Sequence, residues 1–181
     1  MRVFWLRGYE GASLSDLTGA MGINKPSLYA RFNDKRGLFL AAIERYNEVV
    51  GSPKLQRIID GKTVHETVVA YFEEINTSLT SSDTPPGCML NSVVTDLAGR
   101  DDEMRTYISD LIEATEAFLA KRFQELGDAP MDEQALAEII VSFGQSLAAR
   151  ARLGATYTEL ANRTNRFLPL IFRPDEPVPP D

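Results

Sequence analysis

At 181 residues, with 44% hydrophobic and 25% charged side chains, the chain fits one large globular domain or a small one fused to a medium one. A single cysteine and a single histidine exclude an intrachain disulfide and argue against a His/Cys zinc site, so no metal and no cofactor are expected. The net charge of −7 is unevenly spread: residues 1–46 hold seven basic against four acidic side chains, a net +3, while the remainder is −10.

No run approaches the ~18 apolar residues of a membrane span. Residues 1–7 are too short, and too soon interrupted by charge, for a signal peptide. A cytoplasmic protein with no membrane partner is the expectation. Apolar residues recur at helical spacing almost throughout, so the expected fold class is all-α.

The first helix is expected to end at Arg7, with Gly8 as its terminating glycine. Ser13 reads as an N-cap with Asp16 as its capping-box partner, opening a helix over 14–21 that Gly22 stops. Asn24 caps a third helix, and Pro26 sits in its first turn, where a missing N–H is tolerated. Asp34 caps a longer helix, roughly 35–50, closed by Gly51-Ser52-Pro53. A second capping box, Thr63 with Glu66, opens a helix to about Leu79, and residues 80–87 form a loop. Helix 88–98 is expected to end at Gly99. A long helix then runs from Arg100-Asp101-Asp102-Glu103 to Gly127, another from Asp132 to about Leu153, and a last one from Thr158 to Phe172. The tail 174–181, rich in proline and charge, reads as disordered.

Two short helices joined across Gly22 have the dimensions of a helix-turn-helix, whose second helix offers its first turn to base edges while flanking residues hold phosphates. Lys25 and Arg31 supply charge there, Ser27 a short donor and acceptor, and Tyr29 a hydroxyl on a rigid arm. Leu28 and Phe32, at i and i+4, would seat the helix on its own core.

The stretch from Arg7 to Tyr46 resembles the DNA-binding domain of the TetR family of bacterial transcription regulators. The matching residues are Gly8-Tyr9, Ser13-Leu14, Leu17, Gly22, Ser27-Leu28-Tyr29, Phe32, Lys35 and Leu38. Segments 85–105 and 148–172 look, more loosely, like parts of that family's ligand-binding and dimerisation domain. The resemblance implies a DNA-binding domain over 1–46 and a ligand-binding and dimerisation domain over 47–173. It also implies a homodimer on a double-stranded, palindromic DNA operator, acting as a repressor that a small effector releases. Ser13 would contact phosphate, and Lys25, Pro26, Ser27 and Arg31 would face the groove. Tyr29 and Lys35 would hold the backbone. Family members usually have a longer first helix, whereas only seven residues precede Gly8 here, so a short first helix is expected.

Candidate lining for an effector cavity comes from Tyr71, Phe72 and Ile75; Met89, Val93 and Leu97; Tyr107, Leu111 and Phe118; Phe143 and Leu147. Asn76, Asn91, Thr95 and Gln145 supply polar groups. So apolar a set points to a hydrophobic or aromatic ligand. Cys88, opening a helix after Pro85-Pro86-Gly87, could be redox-active, but a structural thiol is preferred. The last two helices offer a dimer surface from Ile140, Gly144, Ala148 and Ala151 with Leu160, Phe167, Leu168 and Ile171.

An enzyme fits poorly. Residues 60–63 end like a phosphate loop, but Gln56 stands where its first glycine belongs. Residues 96–103 fail a calcium loop at Ala98 and Arg100. One histidine and one cysteine exclude most nucleophile–base pairs. The remaining alternative is a helical small-molecule or partner-binding module that does not bind DNA.

Overall fold

The structure, a computed structural model, describes residues 1–92 and 101–172. Val93, Thr95, Leu97, the expected helix end at Gly99 and the expected disordered tail 174–181 lie outside them. The helices are α1 (Arg2–Gly11), α2 (Leu14–Met21), α3 (Lys25–Phe32), α4 (Lys35–Tyr46), α5 (Ser52–Arg57), α6 (Val64–Leu79), α7 (Asp102–Leu126), α8 (Glu133–Arg152) and α9 (Tyr157–Ile171). No strand occurs among the described residues.

Local chemistry sets most of these boundaries. Gly8 breaks α1 with φ 70°, a left-handed conformation that glycine adopts without strain. The Ser13–Asp16 capping box opens α2, and Gly22 closes it in the left-handed region. The Asn24 side chain accepts from Ser27 N–H at 2.9 Å and Asp34 from Gly37 N–H at 2.7 Å. At α6, Thr63 caps as expected, but Glu66 reaches back to Lys62 N–H at 2.8 Å, so the box is not closed on its own cap residue. The last helix begins one residue before Thr158, because Thr156 and Glu159 form a full capping box.

One boundary differs in kind. The helix expected to close at residues 51–53 instead passes through a π turn, Asn47–Gly51, and continues as α5. Pro53 has no N–H for the carbonyl of Val49, and its ring would press on that oxygen in a regular helix. The widened turn, in which Ser52 N–H bonds five residues back to Asn47 O, absorbs this conflict without ending the helix.

Two apolar clusters hold the chain together. Phe4, Trp5, Leu17, Leu28, Phe39, Ile43 and Tyr46 form the first, which also takes in Met89, Met104 and Ile108. Val68, Phe72, Leu119, Phe123, Leu136, Ile140, Leu147 and Leu160 anchor the second, where α8 packs on α6 and α7 and α9 lies across α6 and α8. Polar ties join α1 and α4 to the rest. Trp5 Nε1 donates to Gly87 O at 3.2 Å, Arg152 donates to the carbonyls of Trp5 and Leu6, and Arg2 reaches Asp83 O. Arg36 pairs with Asp101 at 3.1 Å and Glu103 at 2.8 Å.

Candidate nucleic-acid interface and ligand cavity

Helix α3 is held by one buried side chain, Leu28, and by half-buried Phe32. Every other residue it carries is exposed, including Lys25, Pro26, Ser27, Tyr29 and Arg31. Lys25 and Arg31 have no carboxylate partner among the described residues. The Arg31 guanidinium lies 5.5 Å from the Phe32 ring centre, which leaves its N–H groups free to turn outward. Tyr29 is 44% exposed.

The flanking residues are more committed. Ser13 Oγ accepts from Asp16 N–H at 3.1 Å and donates to Asp16 Oδ2 at 2.6 Å. The Ser13 hydroxyl, then Arg7 and the Ser13 N–H, hold the Asp16 carboxyl below its ordinary pKa of 3.8. Lys35, in the first turn of α4, has its Nζ 4.6 Å from the Tyr9 ring centre and 3.5 Å from Glu10 O. Ser13 at the start of α2 and Lys35 just after α3 thus have their polar atoms tethered, a stiff frame around an open helix.

Below this frame is a cavity of two lobes. The larger, about 380 Å³, runs between the end of α4, the π turn, α5, α6 and α7. The smaller, about 130 Å³, reaches α8. Tyr71, Ile75, Cys88, Leu90, Leu111 and Thr115 border both. Of the residues expected to line a cavity, Ile75, Asn91, Leu111 and Phe118 do so, together with Tyr71 and Gln145. Cys88 Sγ lies 3.3 Å from Tyr46 Oη. Burial, then Cys88, raises the Tyr46 hydroxyl well above its ordinary pKa of 10.

Other expected lining residues are core instead. Phe72 meets Phe143 and Phe167 edge-on at 5.5 and 5.8 Å, and Phe143 stacks on Phe167 at 3.9 Å. Leu147 is fully buried in the second cluster, Met89 is fully buried in the first, and Tyr107 packs against the first. Asn76 ties α6 to α9 by donating to Thr164 Oγ1 at 3.2 Å. Lining that the sequence does not reveal comes from Tyr46, Asn47, Ser52, Leu55 and Ile58, because it depends on the π turn.

The expected dimer residues also face the chain's own interior. Ile140, Gly144, Ala148, Ala151, Leu160 and Ile171 are buried, and Phe167 and Leu168 half-buried. The outward side of α8 carries Ile139, Ser142, Ser146, Ala149 and, at its cap, Leu153, all exposed and spaced alternately three and four residues apart. On α9 the exposed positions include Thr158, Asn162, Asn165, Pro169 and Leu170. Leu153 is 86% and Leu170 73% exposed.

Residues 1–42, which contain α1–α3, match the family described as bacterial regulatory proteins, tetR family. The chain is 36% identical over 183 residues to the HTH-type transcriptional repressor ComR of Escherichia coli, covering 96% of this chain and 87% of ComR. It is 29% identical over 171 residues to the HTH-type transcriptional regulator YezE of Bacillus subtilis, covering 91% of this chain and 88% of YezE. Among solved structures, a cysteine mutant of the TetR family regulator CifR, complexed with 26bp double-strand operator DNA, superposes with a TM-score of 0.86. That match has 28% identity and covers 92% of this chain and 90% of CifR. No helix among the described residues is long and apolar enough to cross a membrane. By its residues, its fold and these relatives, the chain belongs to the tetR family of bacterial regulatory proteins.

Proposed function

We propose that this protein is a homodimeric transcriptional repressor that binds a palindromic DNA operator and is released by a small, largely apolar effector. The observation that carries it is α3, a helix seated by Leu28 and Phe32, with an exposed Tyr29 and with Lys25 and Arg31 that meet no carboxylate among the described residues. Lys25, Pro26, Ser27 and Arg31 face the major groove, with base contacts from Lys25 and Ser27. Ser13, Tyr29 and Lys35 meet the phosphate backbone on either side. The operator-bound state of CifR, so similar in fold, supports this placement. Residues 1–46 act as the DNA-binding unit and 47–173 as the effector and dimer unit.

A palindromic site calls for two recognition helices related by a two-fold axis. The unpartnered seam of Ile139, Ser142, Ser146, Ala149 and Leu153, together with the exposed side of α9, supplies the self-complementary face. Its side chains are short between two leucine-size ends, which lets two copies of α8 approach closely. Effector release follows from the cavity's position. Tyr46, the last residue of α4, is part of its wall and packs edge-on against Trp5 of α1 at 5.0 Å. A ligand that displaces Tyr46 or the π turn shifts α4 and α1, and with them the distance between the two recognition helices.

The test is selection of genomic fragments by the purified protein, followed by mobility shifts on the selected sites. A palindromic consensus bound by one dimer is expected. Retention of no fragment above a scrambled control overturns the proposal.

A further inference from the structure

The walls of both lobes hold no basic side chain among the described residues. Their one charged group among the described residues is the Glu74 carboxylate, on the larger lobe and itself engaged. Nearby, burial and then the neighbouring Glu138 and Glu113 raise the Glu116 carboxyl above its ordinary pKa. Among the described residues no countercharge stands on these walls to replace the hydration an anion would lose on entering.

A second feature sets what the cavity does favour. Tyr71 is 94% hidden from solvent, its exposure being 6%, and its hydroxyl, open to the lobes rather than sealed in the core, has no hydrogen-bond partner among the other described residues. Buried tyrosine hydroxyls ordinarily find one. The group borders both lobes, opposite the bare backbone of Gly144, where an added Cβ would lie 3.3 Å from Tyr71 Oη. Burial, and then the proximity of Cys88 and Glu116, pushes its pKa far up, so it stays a neutral O–H donor at any physiological pH. Two other polar wall groups are already engaged, while Asn47, Ser52 and Gln145 also border the lobes. Asn91 Nδ2 donates to Gln145 O at 2.8 Å, and the Thr115 hydroxyl donates to Leu111 O at 3.0 Å. Around the hydroxyl the walls are apolar: Ile75, Leu79, Leu90, Leu111, Ile112 and Phe118.

We propose that the cavity takes an uncharged, mainly apolar molecule bearing one carbonyl-type oxygen, which accepts the hydrogen bond of the unpartnered Tyr71 hydroxyl. This rests on the cavity being the effector site. A larger lobe of about 380 Å³ suits a molecule built on a single aromatic ring or a short chain. Gly144 is part of the site, because its missing side chain leaves room beside the hydroxyl.

The experiment is calorimetry on the full chain at neutral pH with four probes of one shape: acetophenone, ethylbenzene, benzoate and benzylamine. Emission of Trp5, the sole tryptophan, serves as a second readout through its contact with Tyr46. Acetophenone is expected to bind tightest, with benzoate at least about tenfold weaker. Tyr71→Phe should weaken acetophenone roughly three- to tenfold, the range of one neutral hydrogen bond, and leave ethylbenzene nearly unchanged. Gly144→Val should weaken both neutral probes while preserving the helix that carries it. The proposal fails if benzoate or benzylamine binds as tightly as acetophenone, or if Tyr71→Phe leaves the ketone preference intact. It fails equally if no probe binds. Operator binding is measured separately, without any probe. Loss of that activity alone removes the repressor and leaves the cavity's preference standing, and the converse result removes only the preference.

Discussion

Replacing Gly144 by alanine puts the small lobe to a quantitative test. Gly144 lies in the middle of α8, where alanine is favoured over glycine by about 1 kcal/mol. Its added methyl would be buried, which contributes roughly 0.8 kcal/mol more. Against this, the new Cβ would lie 3.3 Å from Tyr71 Oη and 3.4 Å from Ile75 Cδ1, so both must retreat by a few tenths of an ångström. In a closed core such crowding costs about 1–3 kcal/mol. Here both side chains border open space, so the cost should lie at or below the low end of that range. The net expectation is a gain of about 1 kcal/mol, seen as a melting temperature about 2–4 °C higher for a chain of this size. Urea titration should show a higher midpoint with an unchanged slope. A melting temperature that falls by 3 °C or more would mean that Tyr71 and Ile75 have nowhere to go, and the lobe between α6 and α8 would have to be abandoned.

Two further outcomes follow from surface groups. Asp101 accepts from Met104 N–H at 2.9 Å and pairs with Arg36, and both interactions lower its pKa below 3.8. A lowered carboxyl pKa adds stability that is present above the unfolded value and is lost as pH falls through the folded one. Melting temperatures measured from about pH 5 down to about pH 3 should therefore decline less steeply in Asp101→Asn than in the unaltered chain, with Asp16 and Glu159 maintaining the remaining slope; identical slopes would remove the Asp101 share. On the outer side of α8, the pair Ile139→Asp and Leu153→Asp places charge on two exposed positions. The monomer should keep its helix content while light scattering shows dimer dissociation strengthened by about two orders of magnitude, equivalent to roughly 2.7 kcal/mol. A dimer of unchanged affinity would move the interface elsewhere.

The features legible from residues alone are those governed by neighbours in the chain. Ser13, Asn24, Asp34, Asp101 and Asp132 each cap a helix that begins at the next residue, and Gly22 and Gly127 end theirs in left-handed conformations. A cap is decided within three or four residues, so spacing suffices. The cavity is decided by what faces across space. Phe72, Phe143 and Leu147 have the same composition as true lining residues, but α9 closes over the first two and the core takes the third. Tyr46 and Leu55 become lining only because Pro53 forces a wide turn that carries the chain on into α5. The dimer face shows the same confusion in reverse. The stronger apolar stripe of α8, Ile140 with Leu147 and Ala151, is claimed first by its own chain. The weaker seam beside it, with serines at 142 and 146, is what remains outside.

The direct test of the recognition surface is the salt dependence of the operator complex, compared between the unaltered protein and the double variant Lys25→Ala, Arg31→Ala. Each phosphate-neutralising cation adds about 0.9 to the slope of log Kobs against log salt concentration, so direct base contact alone would leave that slope unchanged. With Lys25 and Arg31 both facing the groove, discrimination between the operator and a site altered at the bases they face should drop by at least tenfold, while the slope, set by the phosphate contacts of other residues, changes by less than about one unit per subunit. An unchanged slope together with unchanged discrimination would show that α3 does not face DNA.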